Sequence, residues 1–129
     1  MTQTDMQSSE QEEDLRLLRE SARTLFDRAG GSGRARKLRD AGGEFDPDMI
    51  RELAEAGVFG VAMPEDQGGL GMGLAAGGVI AEEAGRVIAP EPVVATIGLG
   101  LGLLHRLCPD HPKLAQLIGG EASLAVAWQ

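Results

Sequence analysis

The stretch from Met63 to Met72 reads MPEDQGGLGM and lies between two segments with helical patterns. A glycine-rich loop before a helix can hold a phosphate with its backbone amides, or it can be a bend without chemistry. Pro64 fixes the backbone, and Gly68 and Gly69 permit a turn that larger side chains would block. The loop does not match G-x-G-x-x-G after a strand, and no Lys-Ser or Lys-Thr pair follows it. The pattern therefore favours a bend.

Helices are predicted on both sides of this loop. Apolar residues at helical spacing indicate a first helix over about 13–29, which the glycines of 30–33 end. Asp46-Pro47 is typical of a helix start, and Gly57 occupies the position where a left-handed residue ends a helix. A third helix is predicted over about 74–87.

The C-terminal third of the chain predicts two more helices and a change of period. Pro90-Glu91-Pro92 breaks the chain before a helix over 93–107, and a fifth helix follows over about 110–118. Residues from Leu124 to Trp128 alternate between large and small side chains, which predicts a strand. The expected fold is an all-α, up-and-down bundle of about five helices with a strand-like C-terminal end.

Composition narrows the classes of function. The chain has 129 residues, a net charge of −8 and a pI of about 4.7, which disfavours nucleic-acid binding. One basic cluster exists and is interpreted as a solvated loop face: Arg28, Arg34, Arg36, Lys37 and Arg39. Cys108 is the single cysteine, and the longest apolar run is shorter than the about 20 residues that a membrane helix needs. The protein is expected to be cytoplasmic and to have no membrane partner.

No active site is predicted from the residues themselves. His105, Cys108 and His111 are residue types that bind zinc, but Pro109 interrupts their helix and no fourth ligand is evident. Glu82 and Glu83 are neighbours on a helix and point about 100° apart, so they cannot act on one substrate atom. We therefore predict no metal site and no catalytic residue in this chain.

The order of the motifs is more informative than any one of them. A helix leads into the Pro-Glu-x-x-Gly-Gly loop of Pro64, Glu65, Gly68 and Gly69, and an E-E-x-G-R stretch follows from Glu82 to Arg86. A proline break, an apolar helix and a helix that ends in Gly120-Glu121 complete the series. This combination resembles the N-terminal helical domain of acyl-CoA dehydrogenases over about residues 15–129. In that family the loop is a structural element that joins two helices.

The resemblance implies an FAD-dependent enzyme that forms a double bond between the α and β carbons of an acyl-CoA thioester. The flavin and the catalytic glutamate belong to the family's middle and C-terminal domains, and an electron-transfer flavoprotein usually accepts the electrons. We therefore expect residues 1–14 to be a disordered acidic tail and 15–120 to be the helical domain. Residues 121–129 would begin a middle β-domain that is absent here. The isolated chain is expected to hold no FAD and to be inactive.

In the family, the helix after the proline break contributes to the far end of the acyl site. The resemblance therefore places an acyl pocket here, and its predicted residues are Val94, Thr96, Ile97, Gly100 and Leu101. Gly98 and Gly102 are four residues apart, which favours close packing of another helix, whereas Gly100 is the better candidate for ligand space.

Two alternatives remain open at this level. Pro90-Glu91-Pro92 resembles a subgroup that acts on bulky ring-bearing or steroid side-chain CoA esters, some members of which pair unlike subunits. A homo- or hetero-oligomer is therefore expected. The other hypothesis is a non-catalytic helical module that docks on a partner or dimerises, with the strand-like AVAWQ completing another chain's sheet.

Overall fold

The structure is a computed structural model that describes residues 2–43 and 45–127. Its α-helices are α1 (Gln3–Arg28), α2 (Gly31–Asp40), α3 (Pro47–Glu55), α4 (Gly73–Arg86), α5 (Gly102–Leu107) and α6 (Lys113–Ile118). A π-helical segment, Ala95–Leu101, runs directly into α5, and a 3₁₀ turn covers Glu65–Gln67. None of the described residues forms a strand, which confirms the all-α fold class.

The core is built from one fully buried large side chain in each of five segments. These are Phe26 of α1, Leu53 of α3, Ile80 of α4, Leu101 of the π-helical segment and Leu117 of α6. Burial of each such side chain contributes about 1.5–3 kcal/mol. Helix α1 lies along α4, while α2 contributes no buried residue to the core.

The N-terminal helix begins ten residues earlier than predicted. Thr2 accepts a hydrogen bond from the amide of Asp5, and the Asp5 carboxylate accepts one from the Thr2 amide at 2.9 Å, which closes a capping box. Residues 3–14, which were assigned to a disordered tail, are therefore helical, although every one of them is exposed. Polar composition indicated that nothing packs on this segment, but it did not reveal the cap.

Helix α2 is absent from the predicted elements. Gly30 and Gly31, with φ of 116° and 55°, form the turn after α1, and the next helix begins at once. The glycines were interpreted as the start of a loop, so the basic residues that follow were assigned to that loop. Arg36, Lys37 and Arg39 are exposed as expected, but Arg34 is not.

The predicted strand is not formed over residues 124–127, and Trp128 lies outside the described residues. The side chains nevertheless alternate: Ala122, Leu124 and Val126 are half-buried against the helices, and their neighbours are exposed. A strand needs a hydrogen-bonded partner strand, and the described residues supply none.

Candidate functional site

The glycine-rich loop folds back on the residues that precede it. The amides of Leu70, Gly71 and Met72 donate to the carbonyls of Gly60, Met63 and Val61 at 2.8–3.0 Å. The amides of Gln67, Gly68 and Gly69 donate to carbonyls within the 3₁₀ turn at 3.0 Å. All six amides from Gln67 to Met72 are therefore used inside the protein, and the loop offers no cradle for a phosphate.

Two glycines of the loop are fixed by geometry. Gly68 has a φ of 82°, a left-handed conformation that side chains disfavour. A Cβ on Gly69 would lie 2.1 Å from the carbonyl oxygen of Met63, so no side chain fits there. Pro64 precedes them with a φ of −57°, and Glu65 begins the 3₁₀ turn with an exposed side chain.

The five predicted pocket residues do not line one cavity. Ile97 and Leu101 are buried in the core, and Val94 is 61% exposed on the side that faces α4. Thr96 points to the opposite side of the segment, into a different cleft. The helical pattern placed these residues in one segment, but it did not tell which face was already covered.

The cleft beside Thr96 has a volume of about 530 Å³, and we call it the Thr96 cleft. It lies between the start of α3, the start of the π-helical segment and the residues that follow α6. Its lining is mostly apolar and includes Phe45, Pro47, Ile50, Phe59, Pro92, Thr96, Leu117 and residues 119–123. Arg51 is the basic side chain in this lining, and it pairs with Asp48 at 3.0 Å.

A second, smaller groove of about 170 Å³ lies on the other side of the same segment. It is lined by Leu74, Gly77, Gly78, Ala81, Val94, Ile97 and Gly98. A Cβ on Gly77 would lie 2.9 Å from Ile97, so the close approach of α4 to the π-helical segment depends on that glycine.

The glycines of the π-helical segment differ from expectation in what surrounds them. A Cβ on Gly100 would lie 3.2 Å from a methyl group of Leu124 and 3.3 Å from the carbonyl oxygen of Ala95. Gly98 and Gly102 have no such neighbour within 4 Å. Of these three glycines, Gly100 is therefore the one that permits close packing, while Gly98 and Gly102 adjoin open space.

Charged residues tie the helices together at two places that sequence reasoning missed. The Glu83 side chain is 2% exposed and accepts hydrogen bonds from Arg23 and Arg86 at 2.8–3.1 Å, with Arg19 3.5 Å away. Hydrogen bonding to Arg23 first, and to Arg86, lowers the pKa of Glu83 to about 2. Glu82 is exposed and pairs with Arg19. Of the two neighbouring acids, it is Glu83 that pairs with Arg86.

The second place joins α2 to the proline break. The two terminal guanidinium nitrogens of Arg34, Nη1 and Nη2, donate to the two carboxylate oxygens of Glu91, at 2.5 and 2.6 Å. The Glu91 side chain is fully buried and that of Arg34 is 12% exposed. The Pro-Glu-Pro stretch was a signal in the sequence, because prolines on both sides restrict the backbone of the acid between them. The sequence did not identify the partner, which lies 57 residues away in the chain.

The structure shows no metal cluster within residues 2–43 and 45–127. The ring nitrogen Nδ1 of His111 accepts a hydrogen bond from the Lys113 amide at 3.1 Å, and the thiol of Cys108 is exposed. Within the same ranges, no helix combines the length and the apolar character needed to cross a bilayer.

Residues 12–113 match the family described as "Acyl-CoA dehydrogenase, N-terminal domain". This chain belongs to the acyl-CoA dehydrogenase family. The match includes the glycine-rich loop, the Glu83 network and the whole π-helical segment, so the resemblance noted from the motifs is confirmed.

Relatives of this acyl-CoA dehydrogenase domain agree in sequence and in structure. Acyl-CoA dehydrogenase IpdE2 of Mycobacterium tuberculosis is 31% identical over 85% of this chain and 35% of its own length. Acyl-CoA dehydrogenase FadE34 of the same organism is 34% identical over 98% of this chain and 17% of its own. The solved Tcur3481-Tcur3483 steroid ACAD superposes with a TM-score of 0.75 at 33% identity, over 85% of this chain and 31% of that one.

The chain thus spans about a third or less of the relatives it matches. Its described residues do not fit the pyrophosphate of FAD, because the loop amides are already paired and the cleft's basic side chain, Arg51, is paired with Asp48.

Proposed function

We propose that this chain is the N-terminal domain of an FAD-dependent acyl-CoA dehydrogenase that introduces an α,β double bond into an acyl-CoA thioester. Family membership supports this proposal. In the complete enzyme FAD is held by parts outside these 129 residues, an electron-transfer flavoprotein takes the electrons, and the subunits form a homo- or hetero-oligomer. The protein works in the cytoplasm.

The Thr96 cleft is the observation that carries the proposed role of the domain. Its volume of about 530 Å³ lies within the roughly 300–1,000 Å³ typical of ligand pockets. Apolar rings line it and the Thr96 side chain borders it, which suits the far end of an acyl group. Of the five predicted pocket residues, Thr96 is therefore the one we assign to the substrate, while Gly100 packs against Leu124. Val94, Ile97 and Leu101 support the wall from the other side.

The proposed substrate class is a bulky, ring-bearing acyl group. The solved relative is named as a steroid ACAD, and the proline break from Pro90 to Pro92 resembles the subgroup that acts on such esters. Phe45 and Phe59 belong to the lining of the cleft, and apolar side chains of this kind suit such a group.

The test has two steps. The coding sequence beyond Gln129 and in neighbouring genes is expected to contain the flavin-binding domain. The assembled enzyme is then assayed by acyl-CoA-dependent reduction of an artificial electron acceptor. A Thr96→Phe variant fills the cleft, and we expect it to lose at least about tenfold in kcat/KM for a ring-bearing CoA ester, while a short straight-chain ester is spared.

Val94→Phe is the matched control, because it adds a similar side chain on the opposite face of the segment. Equal losses with Thr96→Phe and Val94→Phe would place the acyl group elsewhere. The absence of any flavoprotein partner, together with a stable dimer of the chain, would favour the helical module instead. Gly100→Leu is less informative, since a larger side chain meets Leu124.

A further inference from the structure

Helix α2 is attached to the rest of the molecule in an unusual way. None of its ten residues is buried, so it has no apolar face that packs on the core. Its Leu38 is half-buried without packing on the core, and Arg34 forms a buried contact with Glu91. The attachment therefore depends on an ion pair where most helices use hydrophobic contacts.

The pair acts on the segment that borders the Thr96 cleft. Glu91 stands between Pro90 and Pro92, and its carbonyl accepts the Val93 amide at 2.8 Å. The Pro92 carbonyl accepts the Thr96 amide at 2.9 Å and so begins the helical turn that carries Thr96. The side chain of Glu91 is thus fixed by its ion pair directly before the cleft wall, which starts at Pro92.

The acids of the opposite wall act on Arg34 through their charge. Hydrogen bonding to Glu91, and then the negative charges of Glu91, Asp46 and Glu52, raise the pKa of Arg34. Asp46 caps α3 through the Asp48 amide at 2.9 Å, and α3 supplies Pro47 and Ile50 to the cleft. The hydrogen bonds of the guanidinium join it to Glu91, at the wall that begins with Pro92.

Stability alone does not account for such a pair. Removing two charges from water costs about as much as their attraction returns, and well-packed apolar replacements are often neutral or better. What the charged pair adds is a fixed relative orientation of the two side chains, because a bidentate arginine-carboxylate contact holds its partners in one plane and one register.

We propose that Arg34 and Glu91 are a positioning pair that fixes the wall of the Thr96 cleft from Pro92 to Thr96 and so determines which acyl groups fit. This inference rests on the proposed function, since the acyl group is the ligand that the cleft would select. Neither residue touches the substrate; both act through Pro92 and Thr96.

The first experiment uses the 129-residue chain and needs no activity. Arg34→Met, Glu91→Met and the double variant are compared with Arg36→Met, which removes an exposed arginine of the same helix. Each single change leaves one buried charge uncompensated and lowers the melting temperature, whereas the double variant regains most of it. We expect the amides of residues 93–100 to exchange hydrogen about tenfold faster in the double variant than in the wild type or Arg36→Met.

The second experiment measures selectivity in the assembled enzyme. The double variant should raise KM for a ring-bearing CoA ester about tenfold with kcat for a short straight-chain ester unchanged. Wild-type exchange and wild-type selectivity in a stable double variant would overturn the inference. If the wild-type enzyme oxidises no acyl-CoA, the proposed function fails, and the exchange measurement still decides whether the pair positions the segment.

Discussion

At the scale of single residues, Glu83 is the carboxylate that connects α4 to α1. Its three arginine neighbours lie on two different helices, and its own side chain is almost completely buried. We expect Glu83→Gln to lower the free energy of unfolding by about 1–3 kcal/mol, because it removes charged hydrogen bonds. Glu82→Gln, at an exposed neighbour, should change it by less than about 0.5 kcal/mol. Urea unfolding of both variants is the measurement. Equal losses of stability in Glu83→Gln and Glu82→Gln would argue against the burial of Glu83.

The same carboxylate predicts a pH dependence. Its pKa is about 2 in the folded chain against an ordinary value of 4.5, so the folded state binds fewer protons between these values. The stability that Glu83 contributes is therefore fully present above pH 4.5 and is lost as pH falls toward 2. Over this range, the free energy of unfolding should change less with pH for Glu83→Gln than for the wild type. Parallel curves would show that other acids dominate.

Gly69 and Gly85 form a matched pair of glycine substitutions. Gly69→Ala forces a Cβ to within 2.1 Å of a carbonyl oxygen, so we expect a loss of about 3 kcal/mol or more. Gly85→Ala lies in α4 with open space around it and should gain up to about 1 kcal/mol from helix propensity. Thermal unfolding of the two variants gives the comparison. A folded, stable Gly69→Ala chain would mean that the loop can open.

At the scale of helices and loops, the sequence predicted those helices whose ends are marked by residues close to them in the sequence. The start of α3 is marked by Asp46 and Pro47, and Gly57 ends it with a φ of 77°. Helix α2 was missed because its attachment is a long-range ion pair, which leaves no apolar period in the local sequence. The predicted helix over 93–107 exists, but its first half is π-helical. A helical pattern does not distinguish this form, because it treats the glycines there only as positions of low helix propensity.

The end of α4 carries a strained residue. The amides of Ile88 and Ala89 donate to the carbonyls of Gly85 and Ala84, and Ile88 takes the left-handed position with a φ of 54°. A β-branched side chain is costly there, and this one is 67% exposed. We expect Ile88→Asn to raise the free energy of unfolding by about 0.5–1 kcal/mol, since asparagine tolerates this conformation. Ile88→Val keeps the branch and should change little; a destabilised Ile88→Asn would reveal a packing role for the side chain.

At the scale of the whole molecule, the cleft could not be predicted in full from the sequence. The segment with Thr96 and Gly100 was identified, but the opposite wall comes from residues 45–51 and 117–123, which are remote in the chain. Only the tertiary fold shows that Ile97 and Leu101 are buried in the core. The bend of the glycine-rich loop, in contrast, depends on hydrogen bonds between residues that are close in the sequence.

The loop geometry also predicts how the chain alone behaves toward flavin. Because its six loop amides are paired internally, we expect the purified chain to bind FAD with a Kd no tighter than about 100 μM, a level of weak contact. Flavin fluorescence titration provides the measurement, and the assembled enzyme serves as the positive control. A yellow chain with one FAD per molecule would show a site that the described residues do not explain.

The π-helical segment has a consequence for insertions and deletions. Each of its turns closes one residue later than an α-helical turn, so it accommodates residues that a regular helix of the same length would not. Removing one exposed position such as Gly98 lets the segment tighten while Pro92 and α5 keep their places. Homologous genes that differ by a single codon here are therefore expected to conserve both flanks, and the length of this stretch can vary in evolution without rebuilding the core.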